Sequence, residues 1–106
     1  MNNKILRKLF LGFMEIHILY HAKKKPFYGS WMIDELKHHG YDISPGTLYP
    51  ILHTLCREGL LSVEKQNVNG KIRKYYSITK EGEEVLKKAK EKALELINEI
   101  GGIEDV

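Results

Sequence analysis

The side chains best suited to chemistry lie in a short run near the middle of the chain, and that chemistry is hydrogen bonding. Ser44, Thr47 and Tyr49 carry hydroxyl groups that could contact phosphates or base edges. Pro45 and Gly46 stand between them, and a glycine lets the backbone approach a phosphate closely. If this run begins a helix, its outward amide N–H groups favour an anion. The run therefore predicts a nucleic-acid-binding surface, with an ordinary solvent-exposed helix face as the alternative.

A second group of candidate residues consists of cations in the segment that follows. Every charged side chain from residue 65 to residue 80 is positive, and the five are Lys65, Lys71, Arg73, Lys74 and Lys80. Asn69-Gly70 lies near the centre of this segment and is a strong signal for a hairpin turn. A positively charged hairpin beside a helix suits the phosphate backbone of DNA. The alternative is a lysine-rich hairpin that only faces water, because a net charge of +3 is too small to decide.

Other reactive side chains form weaker patterns. His17 and His21 are four residues apart and could bind a metal from one helix, but apart from Glu15 no further ligand adjoins them. We therefore expect structural roles for all five histidines and no metal site. The single cysteine, Cys56, is expected to act as a small hydrophobic residue. Since no nucleophile elbow, phosphate loop or acid/base pair is found, the prediction is a protein that is not an enzyme and needs no cofactor.

These residues need a scaffold, which the spacing of apolar residues and turn signals predicts. The predicted elements are helices over 4–22 and 30–39, a helix from an N-cap at Ser44 to Gly59, strands over 61–66 and 72–79, and a last helix from an N-cap at Thr79 to Ile100, before Gly101-Gly102. The fold class is mainly α with a β-hairpin: a winged helix-turn-helix with an extra helix at each end. We expect a single domain over 1–106, with the winged helix-turn-helix and first helix over about 4–80 and a dimerisation helix over about 80–100.

The third helix would be the recognition helix, because the second helix of such a pair enters the DNA major groove with its N-terminal residues foremost. His53 belongs to its outward set. Pro50 breaks the local rule, since proline inside a helix removes a hydrogen bond. It either bends this helix towards the groove or is a tolerated kink.

The terminal helices carry more apolar surface than one small domain needs, so we expect a homodimer. The predicted interface residues are Leu9, Phe13, Ile16, Leu86, Ala89, Ala93, Leu96 and Ile100. A mainly apolar small-molecule effector would bind between these helices, at Phe10, Phe13, Met14, His17, Ala93 and Ile97. The alternatives are a helical pair within one chain and an interface packed too fully to hold a ligand.

The apolar stretch from Leu9 to Tyr20 raises the question of a signal peptide. Glu15 and His17 interrupt it and no small-residue cleavage site follows, so neither a signal peptide nor a membrane span is expected. A lone cysteine suits a reducing compartment. The expected location is the cytoplasm.

Five segments together resemble the PadR family of bacterial and archaeal regulators, over roughly residues 9 to 100. They are Tyr28-Gly29, the run from Ser44 to Pro50, the run from Glu58 to Leu61, the run from Arg73 to Tyr76, and the run from Thr79 to Gly82. The Ser-Pro-Gly-Thr-Leu-Tyr-Pro run is the most specific. The resemblance implies a dimeric winged-helix repressor that a small molecule releases from a double-stranded DNA operator.

The resemblance also implies particular contacts. It maps the DNA-binding residues onto Ser44, Pro45, Gly46, Thr47 and Tyr49, with Tyr28 and Gly29 nearby and Lys71 and Arg73 in the wing. His53 and Lys74 complete the expected set. The chain is similar to short family members with one C-terminal helix, yet its one tryptophan, Trp31, lies on the second helix. Stacking of flat drugs between two C-terminal tryptophans, known in one branch, is therefore not expected. A winged-helix protein-interaction module that has lost DNA binding is the alternative.

Overall fold

Four helices and one two-stranded hairpin make up residues 3–101, the part of the chain that the computed structural model describes. In chain order the elements are α1 (Lys4–Lys24), α2 (Gly29–His38), α3 (Pro45–Arg57), β1 (Leu61–Val68), β2 (Lys71–Ile78) and α4 (Lys80–Glu99). The predicted mainly helical winged helix-turn-helix is thereby confirmed. The ends of the expected domain, residues 1–2 and 102–106, and with them Gly102, lie outside the described residues.

The helix ends follow local chemistry. Pro26 restricts the residue before it to extended backbone, and Lys25 accordingly has φ −171° and ψ 159°. The first helix therefore ends at Lys24, two residues later than predicted. At the other end of the fold, Thr79 caps α4 as expected, because its side-chain oxygen accepts a hydrogen bond from the Gly82 amide at 3.0 Å.

The hairpin, called the wing from here on, comprises β1, β2 and the turn between them. Asn69 (φ 53°) and Gly70 (φ 81°) both have positive φ, as a tight two-residue turn requires. The strands pair antiparallel from Leu61 opposite Ile78 out to Val68 opposite Lys71. Both strands reach closer to the turn than predicted, β1 by two residues and β2 by one, whereas β2 ends one residue earlier, at Ile78.

One hydrophobic core holds α1, α2, α3 and the base of the wing together. Its buried members are Met14, Ile18, Leu19, Ala22, Phe27, Met32, Leu36, Leu48, Leu52, Leu55, Leu61 and Tyr76. Phe27 also pairs with Tyr76 through two backbone hydrogen bonds, of 3.0 and 2.8 Å, which fasten the α1–α2 connector to β2. No described side chain of α4 is fully buried, although Leu86 packs against the core. The last helix is therefore the least buried element of the chain.

The base of α4 is nonetheless firmly attached. The Thr79 hydroxyl donates a 2.6 Å hydrogen bond to the Gly59 carbonyl, and the Thr79 amide donates to the Leu60 carbonyl at 3.1 Å. Gly82 lies directly against the Leu60 carbonyl and the Ile78 side chain, so that a Cβ there would overlap both. Only glycine allows this approach.

Between residues 3 and 101 there is no helix with both the length and the apolar character needed to cross a membrane.

Candidate nucleic-acid interface

The first turn of α3 is exposed while the rest of the helix is anchored. Leu48, Leu52 and Leu55 are buried and fix the helix against the core. Residues 44–47 are all exposed. Ser44 occupies the predicted N-cap position with extended backbone, but its side chain makes no capping hydrogen bond and lies 3.4 Å from the Thr47 hydroxyl. Pro45 has no amide N–H, and the Thr47 and Leu48 amides both donate to the Ser44 carbonyl at 3.0 Å. The Gly46 amide is therefore the first-turn donor that stays open to an anion.

Pro50 lies inside a helix that continues to Arg57. Because proline has no amide N–H, the Gly46 carbonyl loses its usual intrahelical partner. Both residues are exposed, so water can hydrate that carbonyl. The Thr54 hydroxyl donates to the Pro50 carbonyl at 3.0 Å, which supplies one more bond within the helix.

Tyr49 connects α3 to the beginning of α2. Its ring rests on Gly29, which is buried, and a Cβ at Gly29 would overlap the phenol group of Tyr49. The ring nevertheless remains 37% exposed. Tyr49 thus packs against the start of α2 and still presents an edge to solvent.

The wing meets the same surface through an arginine. The Arg73 guanidinium lies over the Tyr28 ring, 4.3 Å from its centroid, in cation–π geometry. Tyr75 packs edge-on against Tyr28 with ring centroids 5.7 Å apart. Together with Tyr49 these residues form what we call the aromatic–arginine patch (Tyr28, Tyr49, Arg73 and Tyr75). Tyr75 was absent from the predicted set, although strand alternation places it on the same face as Arg73.

The remaining wing cations are divided between two faces. Lys71 shares a strand face with Arg73, whereas Lys74 lies on the other face, directly opposite Lys65 on β1. Like charges directly opposite each other destabilise a hairpin. All four side chains are exposed, as is His53 on α3. Of the predicted DNA-binding residues, the structure thus brings Arg73 against Tyr28 and Tyr49 against Gly29, and it places Lys74 on the strand face opposite to that of Arg73.

The six residues predicted to bind an effector are not brought together. Phe13, His17 and Ala93 line a groove of about 1230 Å³ between α1, the end of α2 and α4. Phe10 and Met14 instead line a smaller groove of about 320 Å³ against the α2–α3 connector, and Met14 belongs to the core. Ile97 borders neither groove. The residues on α1 point in different directions because the helix turns through about 100° per residue.

Three histidines lie close together in the lining of the larger groove. His17 and His21 lie on α1, and His39 follows the end of α2. The His17 and His39 rings are stacked with centroids 4.6 Å apart, and Glu35 Oε2 lies 3.2 Å from His39 Nε2. Burial, more than the nearby His39, lowers the pKa of His17. Burial also lowers the pKa of His21, while the Glu35 carboxylate opposes that effect.

The residues predicted to form a dimer interface keep much of their apolar surface exposed. Leu9 and Phe13 on α1 are 44% and 45% exposed, and Leu96 and Ile100 at the end of α4 are 56% and 74% exposed. The other four, Ile16, Leu86, Ala89 and Ala93, are half-buried in the groove between the two helices. An apolar surface of this kind remains available to a partner.

A helix-turn-helix pair followed directly by a two-stranded wing defines the winged-helix class of proteins. The model of the transcriptional regulator PadR-like family matches residues 18–88. The chain therefore belongs to the PadR-like family of transcriptional regulators. Its relatives include a protein named transcriptional regulator Rv3488 from Mycobacterium tuberculosis, which is 42% identical over 89 residues, covering 84% of this chain and 83% of the relative.

Solved structures agree with this assignment. A PadR-like transcription factor from Bacteroides fragilis superposes with a TM-score of 0.80 at 33% identity, covering 92% of this chain and 95% of that chain. A PadR family regulator from Eggerthella lenta gives a TM-score of 0.81 at 32% identity, covering 93% and 88% respectively. The predicted family is thus confirmed, and it is a family of regulators rather than of enzymes.

Proposed function

We propose that this chain is a sequence-specific DNA-binding repressor that works as a cytoplasmic homodimer. One observation carries the proposal: the start of α3 and the wing both pack against the start of α2, and the charged side chains of the wing from Lys65 to Lys74 are all positive. Tyr49, Gly29, Tyr28 and Arg73 connect the two parts through direct packing. Membership in a family of transcriptional regulators supports the same conclusion.

In this proposal α3 reads base edges in the major groove. Thr47 and Tyr49 are its foremost hydroxyl-bearing side chains, and both are exposed. The exposed Gly46 lets its own backbone amide approach a phosphate closely. Phosphate contacts of this kind fix the position of the helix on the duplex, whereas the side chains read the sequence.

The wing supplies affinity that does not depend on sequence. The directly opposed Lys65 and Lys74 repel each other in the free protein, and a polyanion relieves that repulsion. Lys71 and Arg73 lie on one strand face of the wing, and on that face Arg73 contacts Tyr28 at the start of α2. Each of these cations can release counterions from DNA when it contacts a phosphate.

Dimerisation through α1 and α4 would pair two recognition helices. The exposed apolar residues of both helices support a two-fold interface, because Leu9, Phe13, Leu96 and Ile100 stay 44–74% exposed within the part of the chain that the structure describes. Two half-sites about 34 Å apart then match two α3 helices on one side of the duplex.

Relief of repression by a small apolar molecule is the second part of the proposal. The groove of about 1230 Å³ supports it, since Phe13 and Ala93 line it and α4 forms one wall. Because α4 begins at Lys80, one residue after Thr79 and two after the end of β2, a ligand that moved α4 would also move the wing. Such a ligand must bind the DNA-free state more tightly than the bound state. Thermal-shift screening of aromatic acids and planar dyes, followed by release from the operator, tests this part.

The central experiment compares variants of α3 and of the wing on DNA. Thr47→Ala should reduce the preference for the promoter of the protein's own gene over scrambled DNA by about 1–3 kcal/mol. Lys71→Ala should weaken binding to both DNAs equally and reduce the slope of log affinity against log salt by about 0.9. Fluorescence anisotropy at several salt concentrations measures both effects.

Lys88→Ala serves as the control, because it removes an exposed cation from α4, outside the proposed interface. It should leave both the preference and the salt slope unchanged. Wild-type protein that bound neither DNA at low salt would overturn the proposal and favour a protein-interaction module.

A further inference from the structure

The histidines that line the groove beside α1 form a cluster that DNA binding does not explain. The candidate ligand nitrogens of His17, His21 and His39 all lie within 4.8 Å of one another. Tetrahedral zinc holds its nitrogens at about 2.0–2.1 Å, which places them roughly 3.3 Å apart. Side-chain rotations would close that difference, and His39 is the most exposed of the three residues.

One of the three rings is buried with a polar atom that lacks a partner. His21 is only 8% exposed, and its Nε2 makes no hydrogen bond within the described chain. The nearest acceptor, Glu35 Oε2, lies 3.5 Å away, beyond the range of about 2.7–3.2 Å for a well-formed bond. A buried, unpaired ring nitrogen is destabilising, and a bound cation at this point would satisfy it.

The surroundings fit a cation. The Glu35 carboxylate lies beside two of the rings, 3.2 Å from His39 Nε2 and 3.5 Å from His21 Nε2. Imidazole and carboxylate ligands without a thiolate suit Zn²⁺ and its first-row neighbours rather than Ca²⁺ or Mg²⁺.

We propose that His17, His21 and His39 bind one divalent transition-metal ion per chain, with the Glu35 carboxylate completing the ligand set. Two ligands come from α1 and two from the C-terminal end of α2, so the ion bridges two helices of the fold. Nothing in this site overlaps the first turn of α3 or the wing, and its occupancy is measured without DNA. Failure of the proposed DNA binding would therefore leave this proposal standing.

The test titrates metal-free, untagged protein with Zn²⁺ by calorimetry, with Mg²⁺ as the comparison ion. Wild-type protein should bind one Zn²⁺ per chain and no Mg²⁺. The key variant is His39→Ala, which removes an exposed side chain and should not disturb folding. It should weaken zinc binding by at least tenfold.

The matched control is His38→Ala, since His38 is the exposed neighbour of His39 and lies outside the cluster. It should bind Zn²⁺ as wild type does. Thermal melts give a second readout: Zn²⁺ should raise the melting temperature of wild type and His38→Ala but not of His39→Ala. Absence of saturable Zn²⁺ binding to wild type, or equal binding by His39→Ala, would show that the cluster is a structural stack of rings and overturn the proposal.

Discussion

At the scale of single residues, two glycines set the geometry of the candidate interface. Gly29 leaves room for the Tyr49 ring at the start of α2, and Gly82 leaves room for the Leu60 carbonyl at the start of α4. The two obstacles differ in kind. The Tyr49 ring is the end of a partly exposed side chain that can turn away, whereas the Leu60 carbonyl belongs to the backbone. Gly82 is therefore the position where an added methyl group costs more.

We expect Gly82→Ala to lower the free energy of unfolding by about 1–3 kcal/mol, because the new Cβ overlaps backbone that cannot move alone. Urea denaturation measures the change. Lys88→Ala, an exposed substitution on the same helix, should change the free energy by no more than about 0.5 kcal/mol. Equal stability of the two variants would show that the α4 junction yields more easily than its packing indicates.

At the scale of elements, the sequence predicted what depends on neighbours along the chain. Asn69-Gly70 defines its own turn and Thr79 its own helix cap, so the wing and α4 were located correctly. Contacts between elements depend on how helices cross, which no local pattern specifies. His39 was therefore expected only at an exposed helix end. Glu35 and His39 are four residues apart, as His17 and His21 are, and this shared spacing was the one local signal that linked the two pairs.

Local periodicity explains why some of the predicted site residues lie apart. Phe10 and Met14 were grouped with Phe13 by residue type, but Met14 lies on the helix face that carries Ile18 into the core. Lys74 was grouped with Arg73 by charge, although adjacent strand positions face opposite ways. In both cases helix or strand periodicity, applied residue by residue, would have separated them.

The junction between β2 and α4 offers a prediction at this scale. Thr79→Ala removes both the cap of α4 and the hydrogen bond to the Gly59 carbonyl, so it should destabilise the protein by about 0.5–2 kcal/mol. Faster hydrogen exchange of the Gly82 amide should accompany the loss. Thr79→Ser keeps the hydroxyl and should retain most of the stability. If the serine variant were as unstable as the alanine variant, the methyl group rather than the hydroxyl would be the important part.

At the scale of the whole molecule, the chain is extended for its length. Its radius of gyration is 15.5 Å and its extents are 55 × 34 × 24 Å, whereas a compact domain of about 100 residues has a radius near 13 Å. The wing and α4 project from the core, and the apolar residues of α4 lie largely outside it. A second copy of the chain is the simplest cover for that surface.

We expect Leu96→Asp to separate the proposed dimer, because it would place an unpaired charge in the apolar seam. Light scattering at micromolar concentration should give a dimer for wild type and the 12.3 kDa monomer for the variant. Lys88→Asp introduces the same residue at an exposed position of α4 away from the seam and should remain dimeric. A wild-type protein that was already monomeric would contradict the dimer.

The unpaired edges of the wing have a consequence for how the protein behaves at high concentration. A two-stranded ribbon leaves backbone donors and acceptors along both outer edges, and among residues 3–101 the one bridge to an edge is that of Phe27 to Tyr76. Such edges invite strand-to-strand aggregation between copies, which lysines and arginines along the strands prevent by repulsion. The cations of the wing therefore also keep the free protein in solution. A variant that lacked all of these cations at once should therefore aggregate, and its loss of DNA affinity could not be measured separately.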